Sequence, residues 1–198
     1  MIRQFAVALL ITFGAPAPLI AQETQTAIFA GGCFWCVESD FDRVQGVKST
    51  VSGYSGGDLE NPTYRNHTGH REVVKIEFDP SQTSYRTLAD IFFRSVDPTD
   101  AGGQFCDRGH AYTTAIYTQG EAQQKAAEEA RAEAENELGR KIVTPIESAG
   151  AFWDAEGYHQ DYYRKNPLRY KYYRYSCGRD DRIEELWGEA AHRGIPAH

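Results

Sequence analysis

The sequence predicts an α+β domain, because patterns typical of strands and of helices alternate along residues 26–147. Short apolar or alternating runs of strand length recur, and stretches rich in Gly, Pro and Asn separate them. The chain of 198 residues, with 41% hydrophobic and 25% charged residues, is long enough and apolar enough for one globular domain. We therefore expect a single domain over residues 22–198.

The strands are predicted from β-branched and aromatic residues bounded by turn residues. Val74 to Phe78 alternates Val, Lys, Ile, Glu, Phe, the signature of a half-buried strand, and Asp79-Pro80 ends it. In chain order, strands are expected at residues 26–30, 47–54, 73–78, 112–117 and 142–146.

Three helices are predicted from apolar residues at helical spacing or from good helix formers. They cover residues 33–44, 85–96 and an Ala- and Glu-rich stretch up to Leu138, with Thr118 and Glu121 as a capping box and Gly139 as the C-terminal cap. The order is β-α-β-β-α-β, then a further helix and strand, which indicates a two-layer ferredoxin-like core with a split β-α-β unit. Weak periodicity after residue 147 predicts a long, largely irregular tail, residues 148–198, that wraps this core.

The N-terminus has the pattern of a secretory signal peptide. Arg3 supplies a positive charge, Phe5 to Phe13 form an apolar stretch too short to cross a bilayer, and Ala21 is the expected cleavage point. We therefore expect residues 1–21 to be removed, the protein to be periplasmic or secreted, and no stable membrane anchor to remain.

Charge and cysteine content limit the remaining classes. A net charge of -7 without a Lys- and Arg-rich run argues against nucleic acid as a partner. Four cysteines follow the signal peptide and allow three disulfide pairings, among which the sequence does not choose: Cys33, Cys36, Cys106 and Cys177. A zinc site would need a second pair of ligands, so no metal is expected. We also expect no cofactor, and we expect the protein to be a monomer.

Cys33 has the setting of a reactive thiol. It follows Gly31-Gly32, between a predicted strand and a predicted helix, where free main-chain N–H groups and the helix dipole stabilise a thiolate. Phe34 and Trp35 would form an apolar pocket suited to a thioether methyl group. Cys36 completes a Cys-X-X-Cys pair, which also suits a thiol-disulfide oxidoreductase.

The segment Gly32-Cys33-Phe34-Trp35, with Val37-Glu38 after it, resembles the nucleophilic motif of the A-type peptide methionine sulfoxide reductases, which act on the S epimer. Matching motifs follow in family order over about residues 26–178: Gly53-Tyr54-Ser55-Gly56-Gly57, Asn61-Pro62-Thr63-Tyr64, Thr68-Gly69-His70-Arg71-Glu72-Val73-Val74, Asp97-Pro98-Thr99, Asp107-Arg108-Gly109, Tyr112, Tyr158-His159-Gln160 and Lys165-Asn166-Pro167. Each motif is short, but so many in order are specific.

The resemblance implies roles for individual residues. Cys33 would be the nucleophile and Glu72 the acid, Phe34 and Trp35 would bind the methyl group, and Tyr64, Tyr112 and Asp107 would bind the sulfoxide oxygen. His159 matches a motif position for which we expect a structural hydrogen bond. The implied substrate is methionine sulfoxide, free or in proteins, and the implied partner is a thioredoxin-like reductant that reopens a disulfide of the enzyme.

The chain departs from the family pattern in ways that leave the resolving thiol open. The stretch between Tyr64 and Gly69 is short, many members have Gly where Cys36 stands, and an aromatic, basic stretch precedes Cys177. Either Cys36 resolves Cys33, with Cys106 and Cys177 as a structural bridge or spare pair, or Cys177 reaches Cys33 on the tail. A thiol-disulfide oxidoreductase and a non-enzymatic module with two structural disulfides are the alternative functions.

Overall fold

The computed structural model describes residues 23–197, so the expected signal peptide, residues 1–21, lies outside the described residues. Its strands and helices, in chain order, are β1 (Gln25–Gly31), α1 (Phe34–Phe41), β2 (Val47–Ser55), β3 (Arg71–Phe78), α2 (Tyr85–Phe93), β4 (Gly103–Gln104), β5 (Asp107–Arg108), β6 (Thr114–Thr118), α3 (Glu121–Leu138), β7 (Ile146–Ser148), β8 (Phe152–Asp154), α4 (Tyr162–Lys165), α5 (Pro167–Ser176) and α6 (Arg179–Trp187).

Within residues 23–197, six strands form the main sheet, in the order β7-β6-β1-β3-β2-β8. β3 lies between β1 and β2 and is antiparallel to both, and β6 is antiparallel to β1 on the other side. This order is compatible with the predicted split β-α-β arrangement, and the α+β class is confirmed.

The alternation of side chains along β1 separates the two faces of the sheet. Ala27 and Phe29 join the larger apolar cluster with α1, α2 and α3, whereas Ile28 and Ala30 belong to a smaller cluster on the other face. The same alternation in β3 puts Val74 with Phe29 and leaves Val73 with Ile28. α1 packs on the larger cluster, and its first residues directly follow Cys33.

Three element predictions need correction. The strand expected at residues 142–146 forms at Ile146–Ser148 instead, because the Val143 N–H bonds the Pro98 carbonyl group, outside the sheet. The capping box is absent from α3: Thr118 lies in β6, and the helix begins after Gly120, whose φ is 90°. The strand expected from Tyr112 begins at Thr114, and residues 110–112 form a 3₁₀ turn.

The tail wraps the core as expected, but it is not largely irregular, since between residues 148 and 197 it contains β8 and three α-helices. Ile183 and Trp187 of α6 are buried in the larger apolar cluster. Arg174 forms a buried ion pair of 2.7 Å with Asp40 of α1. These helices are short and polar, so their sequence carries little apolar periodicity, and contacts with the core stabilise them. Among residues 23–197, no helix has the length and apolar composition needed to cross a membrane.

Candidate active site

Cys33 lies in the turn between β1 and α1, at the N-terminal cap of the helix. The two preceding glycines fit tightly there. A Cβ atom on Gly31 would lie 2.8 Å from the Val37 Cγ2 atom, and one on Gly32, whose φ is +82°, would lie 2.6 Å from the Gln104 Cβ atom. Larger residues would therefore displace the turn that carries the thiol.

All seven residues expected at the nucleophile, the acid and the substrate pocket line one cavity of about 50 Å³, and the structure adds Tyr173: Cys33, Phe34, Trp35, Tyr64, Glu72, Asp107, Tyr112 and Tyr173. They come from α1, β3, β5, α5 and three connecting segments. The two candidate resolving residues, Cys36 and Cys177, do not line it. A larger cavity of about 260 Å³ lies between Arg43 and the tail helices, and its lining contains no cysteine.

Glu72 is a buried carboxyl group beside the thiol. It lies in β3, and its Oε2 atom accepts a hydrogen bond of 3.0 Å from the Phe34 main-chain N–H. That bond favours the charged form, but burial outweighs it and, with the charge of Asp107, raises the pKa of Glu72 to about 8. At neutral pH Glu72 is therefore mostly a carboxylic acid that can donate a proton.

The aromatic wall is held by the first part of the tail. The Trp35 indole stacks on the Tyr162 ring, with centroids 3.7 Å apart, and its N–H donates a hydrogen bond of 3.0 Å to His159 Nδ1. His159 is buried, and its ring lies 5.0 Å from the Phe34 ring and 4.4 Å from the Tyr64 ring. His159 thus has the structural hydrogen bond expected of it and orients the rings that line the cavity.

Phenol hydroxyl groups supply hydrogen-bond donors to the cavity. Tyr64 and Tyr112 both line the cavity, and burial raises the pKa of both phenols, so both stay protonated and can donate. Asp107, half-buried, accepts a hydrogen bond from the Tyr173 hydroxyl group. Burial raises the pKa of this carboxyl as well.

The resting charge of the thiols differs from the sequence expectation. Burial raises the pKa of Cys33 well above its usual value, and the hydrogen bond to Cys36 and the charge of Glu72 act in the same direction. The same hydrogen bond, with Arg179 and Arg174 nearby, lowers the pKa of Cys36 to about 7. The helix N-terminus does not offset this, because the Phe34 N–H bonds Glu72, and the Cys33 side chain makes no capping hydrogen bond. Cys36 therefore ionises before Cys33, and Cys33 keeps its proton when no substrate is present.

The other two cysteines are joined to each other. Cys106 and Cys177 form a disulfide across a separation of 71 residues, while Cys33 and Cys36 are free and buried. The four cysteines thus form one disulfide and not the two structural disulfides of the non-enzymatic alternative. Cys106, Asp107 and Cys177 lie close enough to hold a metal ion, but the disulfide occupies both sulfur atoms.

Sequence reasoning missed two residues that shape the site. Tyr173 was one of seven tyrosines between Tyr158 and Tyr175, and no local pattern distinguished it from its exposed neighbours. Glu38 was noted only as part of a motif, but it is buried, and its carboxyl accepts hydrogen bonds from the Asp161 N–H at 3.1 Å and the Ser52 hydroxyl group at 3.3 Å. Glu38 thereby ties the tail to α1, the helix that follows Cys33.

Comparison with known proteins gives consistent results. The sequence profile described as "Peptide methionine sulfoxide reductase" matches residues 25–191. "Peptide methionine sulfoxide reductase MsrA 2" of Rhizobium meliloti (strain 1021) is 56% identical over 188 residues, which cover 94% of this chain and 95% of the relative. A Caulobacter vibrioides protein of the same name is 48% identical over 194 residues, covering 95% and 98% of the two chains. The solved structure of "Methionine sulfoxide reductase A of Corynebacterium diphtheriae" is 34% identical, with a TM-score of 0.67 over 73% of this chain and 76% of that one.

Proposed function

This chain belongs to the peptide methionine sulfoxide reductase family, and from that premise we propose that it reduces the S epimer of methionine sulfoxide, free or in proteins, to methionine. One observation carries the proposal: the Cys33 thiol and the protonated Glu72 carboxyl line the same small cavity, walled by Phe34 and Trp35. A methyl group on sulfur would fit the aromatic wall, and the oxygen would face the hydroxyl groups of Tyr64 and Tyr112.

The chemical step follows from these groups. The Cys33 thiolate attacks the sulfoxide sulfur while Glu72 gives its proton to the oxygen. The protonated oxygen then moves to the Cys33 sulfur: the sulfur–oxygen bond of the substrate and the new sulfur–sulfur bond break, a sulfur–oxygen bond forms on Cys33, methionine leaves, and Cys33 is left as a sulfenic acid. Because Glu72 is neutral in the resting site, it carries no negative charge that would oppose ionisation of Cys33.

Cys36 is the resolving thiol in this proposal. It lies one helical turn after Cys33 and is hydrogen-bonded to it, and its lowered pKa of about 7 favours the thiolate that attacks a sulfenic acid. That attack forms the Cys33–Cys36 disulfide and releases the oxygen as water. The bond between Cys106 and Cys177 supports this choice, because it leaves Cys177 no free thiol with which to compete.

A dithiol must reopen the new disulfide, and a thioredoxin-like protein supplies one. The signal peptide expected at residues 1–21 would place the enzyme in the periplasm or outside the cell, where the Cys106–Cys177 bond would persist. We therefore propose a reductant on the same side of the membrane and a role in the repair of oxidised exported proteins. A mature chain beginning at residue 22, found in the periplasmic or extracellular fraction, would support this; full-length enzyme confined to the cytosol would refute it.

A single-turnover experiment tests the chemistry. The enzyme, with Cys33 and Cys36 reduced and the Cys106–Cys177 bond intact, is mixed with one equivalent of the S or the R epimer, and methionine and disulfides are mapped. The S epimer should give one methionine and a Cys33–Cys36 disulfide, the R epimer neither, and Cys33→Ser should abolish both products. Turnover of protein disulfides without sulfoxide reduction would instead indicate a thiol-disulfide oxidoreductase.

Two further variants identify the resolving thiol. Cys36→Ser should still release one methionine but stop at the sulfenic acid, whereas Cys177→Ser should form the Cys33–Cys36 disulfide. An intramolecular disulfide formed at full rate in Cys36→Ser would show that Cys36 is not the resolving residue.

A further inference from the structure

Tyr173 connects the nucleophile to a carboxyl group of the same cavity. It lies on α5, in the tail, its hydroxyl group donates a hydrogen bond to Asp107 Oδ2, and its side chain lines the same small cavity as Cys33, whose thiol pKa it lowers. We propose that Tyr173 is a further catalytic residue, which passes the Cys33 proton to Asp107 and then donates a hydrogen bond to the resulting thiolate. The proposal rests on the proposed function, since it takes Cys33 as the nucleophile.

The relay moves two protons and leaves every atom accounted for. Cys33 gives its proton to the phenol oxygen while the phenol gives its own proton to Asp107 Oδ2. The products are a Cys33 thiolate, a neutral Tyr173 whose new O–H points at the sulfur, and a protonated Asp107. No free phenolate forms, which matters because burial and the nearby thiols keep the pKa of Tyr173 far above its usual range.

Asp107 suits the role of acceptor. It is half-buried, and burial raises the pKa of its carboxyl, which favours the protonated form. Tyr173 supplies the connection, because a neutral hydroxyl group can accept one hydrogen bond while it donates another.

The fold holds donor and acceptor together with a covalent bond. Cys177 follows Tyr173 by one turn of helix, with its N–H bonded to the Tyr173 carbonyl group at 2.9 Å, and Cys106 directly precedes Asp107. The Cys106–Cys177 disulfide therefore joins the chain next to Tyr173 to the chain next to Asp107. The Trp35 ring meets the Tyr173 ring edge-on, with centroids 5.8 Å apart, and this contact helps to hold the Tyr173 ring in the cavity.

The test compares Tyr173→Phe with Tyr172→Phe, both made in a Cys36→Ser background so that Cys33 has no neighbouring thiol and the reaction stops at the sulfenic acid. Tyr172 is the matched control because it lies on the same helix and its side chain is 74% exposed. The Cys106–Cys177 bond is kept intact. Two quantities are measured: the rate of methionine release in a single turnover, and the rate of Cys33 alkylation by iodoacetamide as a function of pH.

Removal of the Tyr173 hydroxyl should slow methionine release at neutral pH by about tenfold or more, which is the usual effect of losing a hydrogen bond to a charged group. It should also shift the pH profile of Cys33 alkylation upward by about one unit. Tyr172→Phe should change neither quantity. Unchanged rates in Tyr173→Phe, or slower release with an unshifted alkylation profile, would refute the relay, because a ring that only packs in the cavity would not alter the ionisation of Cys33.

Alkylation requires no sulfoxide, so the two proposals can fail separately. If the Cys36→Ser parent releases no methionine, the proposed function is refuted. An upward shift of the alkylation profile in Tyr173→Phe would still establish the hydrogen bond between Tyr173 and Cys33.

Discussion

The main-chain N–H of Phe34 donates a hydrogen bond of 3.0 Å to the carboxyl group of Glu72. This bond joins the first residue of α1 to β3, so the residue that follows Cys33 is hydrogen-bonded directly to Glu72. It also directs a free N–H of the helix N-terminus toward the carboxyl and away from the Cys33 sulfur. The arrangement places Glu72 for proton donation and leaves the Cys33 thiol, whose pKa burial raises, without this N–H donor.

The rate of the reductive step should depend on the protonation of Glu72. Its pKa is raised to about 8, so the acid is present below that pH and is lost as the pH rises through it. In single turnovers, Glu72→Gln should be slower by about a hundredfold or more, because an amide cannot give a proton to the leaving oxygen. The exposed Glu60 offers a control in Glu60→Gln, which should match the wild type. Full activity of Glu72→Gln with an unchanged alkaline limb would assign the acid to another group.

Stability should also fall as the pH rises, because two buried carboxyl groups hold protons in the folded state. Burial raises the pKa of Glu38 to about 7 and that of Glu72 to about 8, whereas in the unfolded chain both ionise near about 4.3. Between these values the folded state binds more protons than the unfolded state, so the free energy of unfolding decreases with pH and levels off above about 8. Urea unfolding at pH 5 and pH 8 measures this, and Glu38→Gln should show a smaller difference between the two. An equal difference would mean that Glu38 is ionised in the folded protein.

The indole N–H of Trp35 should matter for substrate binding. Trp35→Phe loses the hydrogen bond to His159 and part of the stack on Tyr162, which leaves the aromatic wall less well ordered. A neutral hydrogen bond contributes about 0.5–1.5 kcal/mol, so KM for methionine sulfoxide should rise by about two- to tenfold, with a smaller change in kcat. Trp153→Phe, in β8, is the control and should leave KM unchanged. A loss confined to kcat would argue against a binding role for the wall.

The Cys106–Cys177 disulfide should stabilise the fold without serving as the resolving pair. It closes a loop of 71 residues, and the double variant Cys106→Ser/Cys177→Ser should lose about 2–4 kcal/mol in the free energy of unfolding. Denaturant titration measures the loss, and disulfide mapping after one turnover should still find Cys33 bonded to Cys36. A sulfenic acid that persists in the double variant would return the resolving role to Cys177.

The core and the site were predictable to different degrees. Strands such as 73–78 were recognised because alternation is a local property that requires no knowledge of partners. The tail helices were not, because α5 and α6 depend on contacts such as Arg174 with Asp40 and Trp187 with the core, which join residues far apart in sequence. Tyr173 was missed for the same reason, since only packing distinguishes it from Tyr172.

The sequence by itself determined the α+β order of elements, the family, and the set of residues around Cys33, since motifs and periodicity are written in the chain. Tertiary structure alone decided the pairing of Cys106 with Cys177, the hydrogen bond of Tyr173 to Asp107, and the raised pKa of Cys33. Helix position predicts a Cys33 thiolate, but burial disfavours charge, and the Phe34 N–H is already bonded to Glu72. Desolvation and hydrogen-bond partners exist only once distant segments are packed together, so the charge of a buried site is a property of the fold.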